Sequence, residues 1–410
     1  MHLHLGQMPL GHLPPNQLPL GLAPTGDFAY VRERVRQEAQ DTWDALTQRP
    51  NIRLHGGRLW FPEAAQSDFA ASLIPTSWAT SQLCDKLGVP VKYHRKCPPA
   101  LQDANVNWWL EHGGRHDEPD GPGVGSLPDD PAAGEAPERW LLRAKGDRLR
   151  GILSEKYRPF DNDRLTDCLA SMLPSHYKVD WFSLSDESFH LRLVDPRTCR
   201  QVLPGDDLMA GCHIGNSEVG KRAVTVDILI YRLICQNGLI RLVRNRSLLH
   251  QRHVSLSAPG FQDALKRAVA EALQEAALFV DQIRRAARTP VPDVQAVLAL
   301  LGQQEALSKS FLEAVEKSLR AEAVGQQETV WGLANSLTQA SQALSADDRY
   351  GIETLAGRLI EHGPPKLPPR IAPLSLPKPL SEHGNGNQDD AARREDEHAD
   401  RSARPVLGRA

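Results

Sequence analysis

Cysteine is scarce in this chain. Six are spread over 410 residues, as Cys84, Cys97, Cys168, Cys199, Cys212 and Cys235, and no two form a C-x-x-C pair. That spacing excludes a disulfide-stapled scaffold and compact thiol-metal motifs, and it fits buried thiols in a reducing cytosol. Long apolar runs are also missing. No window approaches 18 uninterrupted apolar residues, so no membrane-spanning helix is expected. There is no G-x-x-x-x-G-K-[ST] phosphate loop, no G-x-S-x-G elbow, no H-E-x-x-H pair and no D-x-D-x-D-G loop. Their absence removes the common sequence signatures of ATP hydrolysis, serine hydrolysis, zinc proteolysis and calcium binding. No cofactor and no bound metal are expected.

What is present is a charged strip. From Lys221 to His253 there are seven bases (Lys221, Arg222, Arg232, Arg241, Arg244, Arg246, Arg252) and one acid, Asp227. The whole chain carries a formal charge of −3. A local excess of six positive charges in such a chain points to a polyanionic partner. The sequence pI of about 6.6 averages this strip with acidic linkers and says little about it.

The pattern along the chain predicts six segments: a Pro-rich disordered leader (1–26), a helical and hairpin part (27–112), an acidic Gly/Pro linker (113–138), a central α+β core (139–288), a C-terminal helical region (289–362) and a disordered tail (363–410). The linker reads either as an insertion in one fold or as a boundary between two domains. Residues 27–48 read as one amphipathic helix. Asn51 to Phe61 reads as a hairpin turned by Gly56-Gly57, and Trp140 to Ser154 as a second hairpin. Helices are expected over 77–88, 99–112, 165–173, 261–287, 308–323, 329–344 and 347–360. Strands are expected over 177–194 and 207–214. Ala223 to Ile234 reads first as a central strand, though its second half also suits a helix. The fold class is therefore α+β: a central antiparallel sheet flanked by N-terminal helices and a C-terminal helical region.

Three segments carry a resemblance: Leu153-Ser-Glu-Lys-Tyr157-Arg158-Pro159-Phe160-Asp161-Asn162, Gly215-Asn216-Ser217-Glu218-Val219-Gly220, and Arg232-Leu233-Ile234-Cys235-Gln236-Asn237-Gly238. Together with Leu83 to Pro90 and Trp331 to Thr338, they resemble the phage- and plasmid-borne proteins of a widespread prokaryotic domain of unknown function, over roughly residues 77–360. The resemblance implies a role on mobile elements, in replication, recombination or defence. The order of elements is also similar, more distantly, to phage single-strand annealing proteins, which implies a basic groove on a sheet and a homo-oligomer.

The expected function is non-catalytic binding of nucleic acid, single-stranded DNA first, in the cytoplasm. The expected contacts are Arg158, Asn216, Ser217, Lys221, Arg222, Asn237, Arg241, Arg244, Arg246 and Arg252. Arginine forks would take phosphates, and the Asn216-Ser217 loop would shape the groove between its glycines. Tyr157 and Trp181 are candidate stacking surfaces. The competing readings are a solvated strip paired to acids elsewhere, a metal-dependent nuclease using Asp161, His190 and Glu218, and an interaction or anti-defence factor.

Overall fold

The computed structural model describes residues 27–61, 72–112, 139–233, 237–241, 247–253 and 258–367. The chain divides into Met1–Leu367 and Pro368–Ala410, and the second unit lies outside the described residues. So do the expected leader and acidic linker.

The elements run α1 (Phe28–Ala39), β1 (Thr42–Gln48), β2 (Arg53–His55), β3 (Arg58–Trp60), β4 (Ser72–Pro75), α2 (Ser77–Lys86), α3 (Val91–His94) and α4 (Pro99–His112). After the linker come β5 (Arg139–Lys145), β6 (Arg148–Ser154), α5 (Asn162–Met172), β7 (Lys178–Leu184), β8 (Phe189–Leu203), β9 (Asp206–Asn216), β10 (Val224–Arg232), β11 (Asn237–Arg241) and β12 (Leu249–Gln251). The rest is helical: α6 (Ala258–Ala286), α7 (Val294–Gln304), α8 (Lys309–Ala321), α9 (Val330–Ala340) and α10 (Ala346–His362). The class is α+β, but the described strands form two sheets where one was expected.

The first sheet has the order β1-β5-β6-β4-β3-β2. Its strands come from both sides of the linker: β1 pairs antiparallel with β5, and β4 pairs parallel with β6. Residues 113–138 therefore interrupt a sheet. The predicted helix over 27–48 stops at Ala39. The remainder becomes β1, because Thr42, Trp43 and Thr47 favour an extended backbone and β5 supplies a seven-residue ladder. Gly56 and Gly57, at φ 60° and 75°, turn the β2–β3 hairpin as expected. Leu54, Leu59, Leu73, Leu142 and Leu149 cover one face of this sheet and pack with Leu83 of α2 and Leu110 of α4.

The second sheet has the order β11-β10-β9-β8-β7, with β12 also on β10. Every residue of β10 is buried. Val224, Val226, Ile228 and Ile230 join the main core, which includes Leu265, Ala272 and Phe279 of α6. Thr225, Asp227, Leu229 and Tyr231 lie on the opposite face by strand alternation. That face carries His190 and Arg192 of β8 and His213 of β9, and α10 packs over it. A strand buried on both faces reads as a continuous apolar run, which is why periodicity alone left Ala223 to Ile234 open.

Gly332 lies in the first turn of α9. A Cβ there would lie 1.9 Å from the Gln326 carbonyl oxygen, so the position admits no side chain. Ala306 follows α7 with φ 52°, the only described non-glycine in the left-handed region. It closes a helix C-terminus in which the Leu307 N–H donates to the Gly302 carbonyl at 3.0 Å. Ala306→Gly should therefore stabilise the protein by about 1 kcal/mol, read as a raised urea midpoint at constant m-value.

Among the described residues, no helix is long and apolar enough to cross a membrane.

Candidate functional site

Two of the motif segments meet at the junction of the sheets. The Tyr157 hydroxyl donates to the Ser217 carbonyl at 3.1 Å. Asn216 Nδ2 donates to the Phe160 carbonyl at 3.0 Å and to Asn162 Oδ1 at 2.8 Å. Glu218 Oε1 accepts the Asn162 N–H at 2.8 Å, so its carboxylate caps α5 from a distant loop. The Asp161 side chain, at the N-cap position, makes no capping bond; it pairs with Arg143 Nη1 at 2.6 Å.

The first sheet grips the same loop. Arg150 Nη1 bonds Glu218 Oε2 at 2.8 Å, and Arg143 Nη1 donates to the Glu218 carbonyl at 2.8 Å. Trp78 Nε1 and Gln82 Nε2 of α2 both donate to the Val219 carbonyl, at 3.0 and 2.9 Å. The loop is thus a peg joining both sheets, α2 and α5. Asn216 and Ser217 have no exposed surface. Their assignment to a nucleic-acid surface is corrected on that ground: their polar groups are spent holding the junction.

Arg232 of the third motif meets the Trp331 to Thr338 stretch. Arg232 Nε bonds Asp206 at 2.7 Å and Nη1 bonds Glu322 at 2.9 Å, with the guanidinium 5.7 Å from the Trp331 ring. The Asn335 carbonyl oxygen, in the amide orientation that satisfies its neighbours, accepts from Arg232 Nη1 at 3.2 Å.

Three of the seven bases of the charged strip, Lys221, Arg222 and Arg232, are paired inside the fold. Lys221 Nζ lies 2.6 Å from Glu187 and 2.8 Å from Asp347. Arg222 is nearly buried, 3.6 Å from Asp347, against the His190 ring and over Tyr350 at 4.6 Å. Neither presents a free fork to a phosphate. Arg158 and Arg252 are exposed and adjacent, since the Arg158 N–H donates to the His253 carbonyl at 3.0 Å. Arg244 and Arg246 lie outside the described residues, as do the side chains of Asn237 and Arg241. Tyr157 is buried, and the guanidiniums of Arg192 and Arg349 lie against the Trp181 ring at 4.8 and 4.9 Å. Neither ring is open to a base.

Beneath α10 lies a buried ionisable layer. Asp347 Oδ1 is 3.0 Å from His190 Nε2, and His190 Nδ1 is 3.1 Å from His213 Nε2. His213 Nδ1 is 3.5 Å from Asp227 Oδ2, which accepts from the Tyr350 hydroxyl at 3.0 Å. With its proton on Nε2, His190 would donate to Asp347 and its Nδ1 would accept from His213 Nε2, leaving His213 Nδ1 without a proton. A proton on Asp227 would complete the chain, in line with its carboxyl being pushed up to about 6 by burial. Burial and the nearby arginines hold both histidines neutral, His190 down to about 4. Asp161 and Glu218 belong to the junction, while His190 belongs to this layer. Among the described residues, no group of three or more His, Cys, Asp or Glu side chains is placed to hold a metal ion.

A surface outside the motifs has the right chemistry for a base and a phosphate. The first sheet's outer face carries Arg53 and His55 of β2, Arg58 and Trp60 of β3, Ser72 and Ile74 of β4, and Arg148 of β6, since their neighbours Leu54, Leu59, Leu73 and Leu149 point into the core. By register, Arg53, Trp60 and Ser72 form one row, and His55 and Arg58 stand beside it. Ile74 pairs with Arg148. Trp60 is 39% exposed and Ile74 42%. The three arginines meet acids only at the rim, at 3.1 Å (Arg53–Glu111), 3.3 Å (Arg58–Asp147) and 2.9 Å (Arg148–Asp186). The signal was legible as the alternation R-L-H-G-G-R-L-W, which sets basic and aromatic residues opposite two leucines. No family model, no curated protein and no solved structure matches this chain.

Proposed function

We propose that the protein binds single-stranded nucleic acid, single-stranded DNA first, on the outer face of its first sheet, without catalytic residues of its own. The observation that carries this reading is Trp60, exposed on a sheet face and directly opposite Arg53. An exposed indole offers a stacking plane to any base, worth about 1–3 kcal/mol per base. Arg53, Arg58 and Arg148 supply phosphate forks. Their rim ion pairs are exposed, so they hold the arginines by only ~0–1 kcal/mol each and yield to a phosphate. The setting is replication or recombination on a mobile element, as the motif resemblance implies, with a homo-oligomer as the working form. A reducing cytosol suits the five described cysteines, all free.

A fluorescent single-stranded oligonucleotide and its duplex, titrated with salt, test the reading. Trp60→Ala should weaken single-strand binding by about 5–150-fold. Replacing Arg53, Arg58 and Arg148 together by alanine should flatten the salt slope by about two. Lys221→Ala should leave that slope unchanged. Full affinity in the Trp60 variant would remove this face from the site.

A further inference from the structure

We propose that the exposed face of α4 is the surface on which a second copy of this chain docks, helix against helix and antiparallel across a twofold axis. It is the contact surface of the homo-oligomer named above and rests on that reading.

The α4 helix is apolar on two opposite sides. At about 100° per residue, Val106 and Leu110 point one way, into the core of the first sheet. Leu101 and Trp108 lie seven residues apart on the other side, 41% and 53% exposed. Tyr93 of α3 widens the stripe: it is 50% exposed, and its hydroxyl accepts from Asn105 Nδ2 at 3.4 Å. A helix on the surface of one fold needs a single apolar stripe, so a second stripe calls for a second partner. Trp108 is also a fixed ring. It stands edge-on to Trp109 at 4.8 Å, which packs on the core, and it stacks on His112 at 5.2 Å. An exposed aromatic already held in one orientation loses little freedom on docking.

Symmetry and charge select a second copy as the cover. In an antiparallel pair Leu101 faces the partner's Trp108, about 10 Å along the helix from its own. The axis then passes between Ala104 and Asn105, and the small Ala104 lets the two helices approach. Lys92 and Lys96 stand exposed near the α4 N-terminus, in no ion pair among the described residues. At the other end the chain leaves α4 at His112 for residues 113–138, which carry seven acids against one arginine. Antiparallel docking sets the acidic stretch of each copy beside the two lysines of the other. The same stretch is a poor cover for the stripe of its own copy, because Val124 and Leu127 are its only large apolar residues.

Sedimentation velocity of the full chain should show a dimer by about 100 μM. Trp108→Glu should weaken it at least about thirtyfold, the loss expected for a central aromatic anchor. The residue is exposed, so that variant should keep its melting temperature at low concentration. Lys92→Glu with Lys96→Glu should weaken the dimer about tenfold, and added salt should weaken it in the same direction. Asn105→Cys, beside the axis, should form a disulfide-linked dimer under mild oxidation, beyond any cross-linking of the unaltered chain. A chain that stays monomeric at that concentration would overturn this surface together with the oligomer reading. A dimer that Trp108→Glu leaves intact, or that Asn105→Cys does not cross-link, would overturn this surface alone. A monomer whose oligonucleotide affinity falls in Trp108→Glu would give the stripe to nucleic acid instead.

Discussion

Glu353→Ala should cost about 3–5 kcal/mol of folding stability, about a fifth or more of what a typical domain has. Glu353 has no exposed surface and is shared by two buried cations. Its Oε1 accepts from Arg349 Nε at 2.9 Å, and its Oε2 accepts from Arg192 Nη2. The supply of partners is already short: Arg192 Nε and Nη1 have none. Burial and the Arg192 charge push the Arg349 guanidinium down from its usual range. Removing the shared carboxylate leaves two desolvated guanidiniums close to the Trp181 ring, with Asp180 as the nearby acid, its own carboxyl raised by burial. The cost comes from stranding charge, not from the worth of the pairs themselves. Arg192→Met, Glu353→Leu and Arg349→Met made together should therefore recover most of the loss. Urea midpoints at constant m-value measure both variants. A loss under about 1 kcal/mol for Glu353→Ala would mean that water reaches this layer.

Local signals made much of the fold legible. The Gly56-Gly57 turn, the Lys145-Gly146-Asp147 turn and the glycine after α2 mark their elements without help from the rest of the chain. What was hidden depends on distant partners. β1 looked like the end of a helix because its ladder partner β5 lies about a hundred residues away; Arg143 reaches Asp44 across a separation of 99. The parallel β4–β6 pair spans the linker in the same way, so two sheets read as one. The site followed the same rule. Counting charges from Lys221 to His253 correctly found the bases and could not find the acids that meet them. Glu187 lies 34 residues before Lys221, and Glu322 lies 90 after Arg232. The motif segments were visible as text, but their physical role, pegging elements together through Glu218 and Arg232, exists only in three dimensions.

Lowering the pH from 6.5 to 4.5 should destabilise the protein at about 2 kcal/mol per pH unit near pH 5. His190 and His253 are held down to about 4, and His213 is also well below its usual value, in each case chiefly because burial disfavours the charged ring. A depressed histidine is neutral in the fold and charged in the unfolded chain below about 6.5. Its contribution is present above that pH and is lost as pH falls towards the folded value. Near pH 5 the three together make the unfolded chain bind nearly three more protons. Asp227 works the other way. Pushed up to about 6 by burial, it holds a proton in the fold that the unfolded chain releases above about 4, and the raised Asp180 shares that sign. Asp347, held low, titrates below this window. The net uptake on unfolding is about one to two protons. Two variants separate the contributions. His253 is bonded to Asn216 at 3.1 Å and stacked on Tyr157, away from the α10 layer; His253→Gln should flatten the slope by about one proton. Asp227→Asn should steepen it by about the same amount, because the opposing group is gone. Urea unfolding from pH 4.5 to 7 reads both slopes, and a profile flat across that range would mean that these histidines are solvated in the folded protein.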